Sequence, residues 1–386
     1  MFKKKISLAI LGSTGSIGRT SCNIIKKNLK NFKVDLLCCN KNYKIILKQI
    51  KMFLPKFVII SDSKTYQRLR RKKFKKKIIF FQNLEEFEKI NKKKFDKVIL
   101  SISSINGLKY AFSFIQYSKE ILLANKETIV CGGKLFLNKA KKNKCNIKSI
   151  DSEHFCISQT LKNKKNHEVS KVYLTASGGP FLNKKKKYLK KISIEKALNH
   201  PHWTMGKKIS IDSATMVNKV FEMIEASILF DLPTNKIKIK IHKEAKVHSV
   251  VVFKNGIVEL LAHNTSMEIP IYNSLLNDNK FVNKNNFFYN KKLINFSFDE
   301  LSLNQFPIIK NGYKMIKYGP RACILFNVIN DRLVELFLSE KIFFYQIVSK
   351  LNKIVNCKKY IKYFKKKVTK VNDIYETINF ANKIFL

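Results

Sequence analysis

Three acidic side chains in this sequence have the chemical type and spacing of ligands for a hard divalent cation. Asp151 and Glu153 follow a short apolar segment and are two residues apart, so an extended backbone would direct both carboxylates to one face. Two like charges held together cost free energy unless a cation neutralises them. Glu222, on a later segment, is the expected third ligand. Because all three offer oxygen, the sequence predicts Mg²⁺ or Mn²⁺ rather than zinc.

The segment that carries Glu222 has the periodicity of a helix with two different faces. Asn218, Lys219 and Glu222 fall within one arc of about 100°, and apolar residues occupy the opposite arc. Ser213 lies just before this helix, where free N–H groups and the helix dipole favour a phosphate. The alternative is an ordinary solvated polar face, which the pattern alone does not exclude.

The residues before this helix, 200–208, combine two histidines, the only tryptophan and a Met-Gly pair. This composition predicts that the segment forms a lid over a site. His200 opens the lid beside the expected phosphate groups. It is the one histidine for which we predict a role in the site, and we expect the others to be structural or solvated.

The start of the chain has the pattern of a dinucleotide-binding βαβ unit. An apolar strand at 6–11 leads into a glycine-rich turn at 12–18, then a helix and a second strand at 32–39. NAD enzymes place an acid about twenty residues beyond the glycines to bind the ribose hydroxyl, and this chain has Lys41 there. A lysine suits a 2′-phosphate, so the sequence favours NADP over NAD; the alternative is a lysine in a surface loop.

Further apolar strands alternate with basic, helix-like segments, as a doubly wound parallel sheet requires. One strand delivers residues 125–127 at its carboxyl end, where open sheets bind ligands, although Asn125 capping an ordinary helix is the alternative. The predicted fold class is α/β with four parts. These are a Rossmann-like nucleotide-binding domain over 1–150, a central α/β catalytic domain with a flexible lid over 151–273, a linker over 274–299 and a C-terminal helical bundle over 300–386.

The composition bounds the function in other ways. The 386 residues carry 76 Lys+Arg against 27 Asp+Glu, a net charge of +49 that is typical of nucleic-acid or membrane-surface binding. The lysines are scattered, however, and we find no grouping of basic with aromatic residues.

No segment approaches the roughly 18 apolar residues of a membrane span. The eight cysteines include no CxxC pair, which indicates a reduced, cytoplasmic protein.

Six motifs, in order along nearly the whole chain, resemble one family, the 1-deoxy-D-xylulose-5-phosphate reductoisomerases. The resemblance implies the NADPH- and metal-dependent rearrangement and reduction of a small phosphorylated sugar in the non-mevalonate isoprenoid pathway. It also implies a homodimer with no specific nucleic acid and no membrane as partner. The motifs are GSTGSIG (12–18), LLANKE (122–127), DSEH (151–154), SGGPF (177–181), HPHWTMGKKISIDSATMVNK (200–219) and FEMIEA (221–226).

The resemblance also implies a role for individual residues. NADPH would be held by Thr14, Gly15, Ser16, Ile17, Asn40, Lys41, Asn42, Asn125, Lys126, Glu127 and Gly206. The substrate would be contacted by Ser152, Glu153, Ser177, His200, Ser213, Asn218, Lys219 and Glu222. The metal would lie on Asp151, Glu153 and Glu222, and the family's lid residues correspond to Trp203 and Met205.

The chain departs from the family pattern at four places, 103–107, 242–245, 266–270 and 327–331, which puts the walls of the site in question. Two alternatives remain at this stage. One is another NADP-dependent dehydrogenase, which would need a reactive cysteine or no carboxylate cluster. The other, from a different class, is a basic nucleic-acid-binding protein, which would need cations and aromatic rings on one face.

Overall fold

The computed structural model describes residues 4–164, 168–182, 184, 186–190, 192–276 and 295–384. The chain divides into two compact units. The first comprises Met1–Asn125, Phe136–Asp151 and Met267–Phe281, and the second comprises Lys126–Leu135, Ser152–Ser266 and Val282–Leu386. The division into four domains remains a proposal.

The secondary structure alternates strands and helices at first and ends in helices. In chain order the strands are β1 Ile6–Leu11, β2 Phe32–Cys39, β3 Phe57–Ile60, β4 Ile79–Phe81, β5 Phe95–Leu100, β6 Ser118–Leu123, β7 Asn146–Ser149, β8 Val169–Ala176, β9 Ile237–Ile241, β10 Val247–Phe253, β11 Val258–Ala262 and β12 Asp299–Glu300. The helices are α1 Ser16–Lys27, α2 Tyr43–Phe53, α3 Ser63–Arg70, α4 Leu84–Ile90, α5 Gly107–Phe114, α6 Lys126–Lys142, α7 Ser152–Thr160, α8 Lys186–Leu189, α9 Ile194–Leu198, α10 Lys207–Ala214, α11 Val217–Leu229, α12 Glu268–Leu275, α13 Ile308–Tyr318, α14 Pro320–Leu338, α15 Phe344–Val355, α16 Lys358–Phe364 and α17 Val371–Lys383.

A seven-stranded parallel sheet is the centre of the first unit. Its order is β4-β3-β2-β1-β5-β6-β7, and each neighbouring pair is parallel. The order reverses between β1 and β5, the switch point at which doubly wound sheets bind nucleotides. All four residues of β3 are buried, as expected for a strand covered on both faces. The predicted α/β class with a Rossmann-like first part is confirmed.

The turn between β1 and α1 depends on two glycines. Gly12 has φ +84°, and an added Cβ would lie 2.7 Å from the carbonyl oxygen of Ser101. At Gly18 an added Cβ would lie 2.6 Å from the carbonyl carbon of Ser13. The chain therefore passes very closely over the start of α1, and this contact brings the N-terminus of α1 to the switch point.

The predicted linker, 274–299, is only partly described. Its first residues complete α12, which packs on α1 with Ile271, Tyr272 and Leu275 in the apolar core of the first unit. Residues 277–294 lie outside the described part of the chain. The sequence did not reveal α12 because eight residues containing a proline and an asparagine are too short to show a clear helical period.

A mixed five-stranded sheet is the centre of the second unit. Its order is β11-β10-β8-β9-β12; β8 and β9 are parallel, and the other neighbouring pairs are antiparallel. Helices α7 and α11 pack against this sheet, and α13 to α17 pack mainly on one another, as the predicted helical C-terminal part requires. Within the described residues, the structure contains no helix that is both long and apolar enough to cross a bilayer.

We expect Gly18→Ala to lower the free energy of unfolding of the first unit by about 1–3 kcal/mol, because the new methyl group would overlap backbone atoms that cannot move independently. Chemical denaturation followed by circular dichroism measures the change. Gly206→Ala is the matched control, since a Cβ at Gly206 would meet nothing within 4 Å. Equal stability of the two variants would contradict the close packing at Gly18.

Candidate active site

The structure brings the three predicted metal ligands together. One oxygen from each of Asp151, Glu153 and Glu222 lies within 4.8 Å of the other two. The predicted extended backbone at 151–153 is wrong, because α7 begins at Ser152 and Glu153 lies in its first turn. The start of a helix, rather than strand alternation, therefore directs the neighbouring carboxylates to one place. Three carboxylate oxygens at this spacing fit a hard divalent cation.

The ammonium group of Lys219 lies between two of these carboxylates. Its Nζ donates to Glu153 Oε1 and, at 2.6 Å, to Glu222 Oε2. Lys126 Nζ lies 3.4 Å from Glu222 Oε1, and Asn218 Nδ2 donates to the same oxygen at 2.5 Å. Burial alone would lower the pKa of Lys219, but the two carboxylates outweigh burial and raise that pKa above its ordinary value. Lys219 is therefore a fixed positive charge at neutral pH.

The polar face of α11 is buried, and this decides between the two interpretations of its sequence. Only 7% of Lys219 and 0% of Glu222 are exposed, although the opposite face, with Val217, Val220 and Phe221, is also buried. A solvated face is thereby excluded. Buried charges at this density need partners or a ligand, because removing an ion from water is costly.

A loop after β8 meets the end of α10. Ser177 Oγ accepts a hydrogen bond from Gly179 N at 3.4 Å and lies 3.3 Å from His200 Nε2. Gly179 has φ +68°, and an added Cβ would lie 3.0 Å from the carbonyl oxygen of Ser213. The predicted substrate residues Ser177, His200 and Ser213 are thus close together. Ser213 lies in the last turn of helix α10, and Met216, at φ +62°, separates α10 from α11.

His200 holds the turn that begins the predicted lid. Its Nδ1 accepts hydrogen bonds from the backbone N–H groups of His202 and Trp203, each at 3.1 Å. Since Nδ1 accepts, the neutral ring carries its proton on Nε2, which donates to Ser177 Oγ. Burial, with smaller effects from His202 and Lys219, lowers the pKa of His200 to about 4. His200 is therefore neutral at pH 7.

The lid residues after this turn have no regular secondary structure until α10 begins at Lys207. The ring of Trp203 packs against His248 with centroids 6.0 Å apart, and Met205 is half-buried. Gly206 N-caps α10 with φ −67°, and an added Cβ would meet nothing within 4 Å. The irregular segment thus ends at 206 and not at 208. Neither the backbone conformation nor the described surroundings therefore require glycine at 206.

A buried ion cluster that the sequence did not predict holds the start of α10. Lys208 Nζ lies 2.9 Å from a carboxylate oxygen of Glu127, 2.7 Å from Asp212 and 3.1 Å from Asp331. Asn330 Nδ2 donates to Asp212 at 2.8 Å. Burial would lower the pKa of Lys208, but these carboxylates raise it well above its ordinary value. The i,i+4 spacing of Lys208 and Asp212 was the available signal in the sequence; the other partners come from distant segments.

The residues predicted to bind a dinucleotide surround the switch point of the parallel sheet. Gly15 N-caps α1 without a capping side chain, so N–H groups at the start of α1 remain available to a phosphate. Residues 14–17 follow the carboxyl end of β1, and residues 40–42 follow the carboxyl end of the adjacent strand β2. This arrangement fits a dinucleotide whose pyrophosphate lies on α1.

The predicted cofactor residues after β6 have different surroundings from one another. The side-chain amide of Asn125 donates to the carbonyl oxygens of Ile102 and Ser104 at 2.5 and 2.9 Å. Lys126 and Glu127 instead join the two ion clusters described above, through Glu222 and Lys208. Lys126 therefore lies against a predicted metal ligand, which its assignment to the cofactor did not anticipate.

Two of the departures from the family pattern, 103–107 and 242–245, are turns that contain a left-handed residue other than glycine. Ser104 has φ +63° and Ala245 has φ +50°. His242 supports the second turn, because its Nε2 accepts a hydrogen bond from Val247 N at 3.0 Å. Both departures therefore leave folded turns, at some cost in backbone strain.

A sheet with this topology and glycine turn binds a nicotinamide dinucleotide at its switch point, and buried carboxylates beside a protonated lysine can hold a divalent cation and the oxygens of a substrate. These features define a metal-dependent, nicotinamide-linked oxidoreductase. Comparison with known proteins gives the family. Family models match residues 8–133 (1-deoxy-D-xylulose 5-phosphate reductoisomerase), 147–230 (its C-terminal domain) and 263–384 (DXP reductoisomerase C-terminal domain).

Individual relatives agree with the family models. The chain is 41% identical over 371 residues to the 1-deoxy-D-xylulose 5-phosphate reductoisomerase of Pelagibacter ubique, with 95% of each chain covered, and 38% identical to that of Clostridium kluyveri, with 92% covered. A crystal structure of DOX-P reductoisomerase with NADPH, fosmidomycin and magnesium superposes with a TM-score of 0.90 at 32% identity, covering 98% of this chain and 97% of that one. The chain belongs to the 1-deoxy-D-xylulose 5-phosphate reductoisomerase family.

The geometry of His200 predicts a pH-dependent lid turn. Its folded pKa of about 4 lies below the ordinary 6.5, so its stabilising effect is complete above pH 6.5 and is lost as the pH falls towards 4. Protonation of Nδ1 would remove the acceptor for two backbone N–H groups. We expect the fluorescence of Trp203, the only tryptophan, to be constant from pH 8 to about 5 and to change with a midpoint near pH 4.

His200→Asn is the matched variant, because asparagine can accept the same hydrogen bonds but does not titrate. This variant should not show the change in Trp203 fluorescence near pH 4. The pKa of His248, beside Trp203, is lowered to about 3, so its own titration falls at lower pH. Far-ultraviolet circular dichroism must show that the fold stays intact over the pH range of the fluorescence change. The same fluorescence change in His200→Asn would contradict the role of His200 in holding the turn.

Proposed function

We propose that this chain catalyses the metal-dependent rearrangement of 1-deoxy-D-xylulose 5-phosphate and the NADPH-dependent reduction of the product to 2-C-methyl-D-erythritol 4-phosphate. This is the reaction of its family in the non-mevalonate isoprenoid precursor pathway. The observation that carries the proposal is the cluster of Asp151, Glu153 and Glu222 with Lys219 among its carboxylates.

The carboxylate cluster fits Mg²⁺ or Mn²⁺, and Asp151, Glu153 and Glu222 would hold the ion. When bound, the cation supplies Lewis-acid stabilisation of the negative charge that develops on substrate oxygens. Lys219 stays protonated and adds a fixed positive charge beside the same oxygens. Ser152 Oγ donates to Glu153 Oε2 at 2.6 Å and thereby orients that carboxylate.

The phosphate of the substrate would bind at the loop after β8 and the neighbouring helix ends. Ser177 and the Nε2–H of His200 are donors there, and Ser213 lies against the same loop. Asn218 and Lys219 belong to this set by family resemblance, and both contact Glu222 of the carboxylate cluster. Binding energy from the phosphate can then orient the reacting carbons.

When bound, NADPH would supply the hydride for the reduction. Residues 14–17, 40–42 and 125–127, together with Gly206, would bind it, and the glycine turn and uncapped start of α1 fit its pyrophosphate. Trp203 and Met205 would cover the reacting groups and exclude water. His200 contributes by holding the turn from which the Trp203 side chain projects.

The direct test is oxidation of NADPH by the purified protein with 1-deoxy-D-xylulose 5-phosphate, with and without Mg²⁺ or Mn²⁺. We expect oxidation that depends on the metal and yields 2-C-methyl-D-erythritol 4-phosphate. Glu222→Gln should lower kcat by at least about a hundredfold, because a neutral amide binds a hard cation far more weakly than a carboxylate.

Glu225→Gln is the matched control for Glu222→Gln. It lies one turn further along α11, is equally buried and lies near His154 instead of the carboxylate cluster. It should keep most of the activity. Equal losses in the two variants, or metal-independent oxidation by the wild-type protein, would contradict the proposed centre.

We propose that the protein is a homodimer that pairs through β11. This strand is at the edge of the five-stranded sheet. Val258 and Leu260 on it are 49% and 48% exposed, and Ile257, just before it, is 54% exposed. An apolar edge strand is normally covered by another chain, and a second copy gives a closed, symmetric pairing.

Leu260→Lys should convert the dimer to a monomer, because it places charge in the apolar contact. Light scattering coupled to size-exclusion chromatography measures the mass. Ile90→Lys is the matched control, since Ile90 is 54% exposed at a helix end in the other unit. A wild-type monomer, or a Leu260→Lys variant that remains dimeric, would contradict pairing through β11.

One feature of the structure bears on nucleic-acid binding, the alternative function from a different class. A groove of about 580 Å³ beside the edge strand β4 is lined by Tyr66, Arg70, Lys72, Lys73, Phe74, Lys76, Lys77 and 78–80. The expectation that basic and aromatic residues are not grouped is therefore wrong at this groove. Non-specific attraction of polyanions is sufficient to explain its chemistry. We keep catalysis as the proposal, because polyanion binding gives no role to the buried carboxylates.

We also propose a cytoplasmic location. All eight cysteines are present as thiols without disulfide partners. Burial raises the pKa of Cys22 and of Cys38 to about 12, so these thiols are unreactive packing groups at neutral pH. Cysteines used in this way are typical of proteins in a reducing compartment.

A further inference from the structure

A cationic hollow lies beyond the carboxyl end of β2 in the first unit. It has a volume of about 500 Å³ and is lined by Lys41, Asn42, Tyr43, Lys44 and Arg68. Only Lys41 and Asn42 were expected to bind the cofactor. Arg68 lies on α3, one β/α unit further along the chain, and no motif in the sequence singles it out.

The guanidinium of Arg68 is held on an aromatic ring. Its central carbon lies 3.8 Å from the centroid of Tyr43, at cation–π distance. Tyr43 itself packs against the apolar core of the first unit. An exposed arginine ordinarily loses side-chain entropy when it binds a ligand, and the ring reduces that loss because the guanidinium is already positioned.

The backbone on both sides of the hollow is joined by hydrogen bonds. Thr65 Oγ1, on α3, donates to the carbonyl oxygen of Lys41 at 3.3 Å, and Ser61 Oγ donates to Asn40 Oδ1 at 3.3 Å. Asp62, an acidic group at the start of α3, accepts the backbone N–H of Thr65 at 2.8 Å as the helix cap. Arg68 therefore has a defined position relative to Lys41.

We propose that Arg68 determines the preference of this protein for NADPH over NADH, by binding the 2′-phosphate of the adenosine ribose together with Lys41 and Lys44. The proposal rests on the assignment of NADPH as the cofactor. In doubly wound sheets the ribose 2′ group lies beyond the second strand, which is where this hollow is found. A guanidinium stacked on a ring presents its N–H edge to the phosphate.

The test is direct binding of cofactors to the purified, full-length protein, measured by calorimetry without substrate. Wild-type protein should bind NADPH more tightly than NADH. Arg68→Gln should weaken NADPH binding by about tenfold to one-hundredfold, the range for a charge-assisted hydrogen bond, and leave NADH binding unchanged. Adenosine 2′,5′-bisphosphate and 5′-AMP should show the same contrast, because they contain only the adenosine half.

Arg70→Gln is the matched control. Arg70 lies on the same helix, is also exposed and also lies over a tyrosine, Tyr66, but at 6.0 Å and outside the hollow. It should retain the affinity for NADPH. Arg68→Lys, which keeps the charge but not the planar guanidinium, should have an intermediate affinity. Circular dichroism checks that each variant is folded.

The outcomes separate this inference from the assignment on which it rests. If the wild-type protein shows no preference for NADPH, the cofactor assignment fails and this inference fails with it. If the wild-type protein prefers NADPH and Arg68→Gln keeps the same preference, only the role of Arg68 is overturned. Equal losses in Arg68→Gln and Arg70→Gln would also overturn it, because they would reflect the general surface charge.

Discussion

The arrangement of the active-site residues depends on the burial of the Glu222 carboxylate. A carboxylate removed from water costs several kcal/mol unless charged or hydrogen-bonding partners replace the water. Lys219, Lys126 and Asn218 are those partners, and they come from two different helices, α6 and α11. Lys219 also reaches Glu153 on α7, so a third helix is included. Charge compensation thus joins these three helices, and the resulting centre combines carboxylate oxygens with a fixed positive charge.

The lid segment is held at both ends by polar contacts of different kinds. At its start, the neutral ring of His200 accepts two backbone N–H groups. At its end, α10 is fixed by the ion cluster of Lys208 with three carboxylates. The residues between have no regular structure, so they can rearrange without unfolding either anchor. An irregular segment between two fixed ends is a suitable construction for a cover over a reacting substrate.

The net charge of +49 and the acidic site are compatible because they are in different places. The buried carboxylates are neutralised locally by lysines, whereas most of the excess positive charge is solvated. A basic surface attracts anions, and both the substrate and the cofactor of this family are anionic. The surface lysines do not by themselves make a binding site. The hollow beside β2 differs from them, since an aromatic ring holds one of its cations in position.

The sequence alone determined the fold class, the bounds of β1 and β2, and the three carboxylates that the structure brings together as candidate metal ligands. These depend on local patterns: apolar runs, glycine spacing, helical period and residue type. Only the tertiary structure decided that the polar face of α11 is buried, that Lys126 lies against Glu222 and that Lys208 joins three carboxylates. It also decided that Arg68 stacks on Tyr43. The reason is physical: such contacts join segments far apart in the chain, and their distances follow from how helices and strands pack, which no local pattern records.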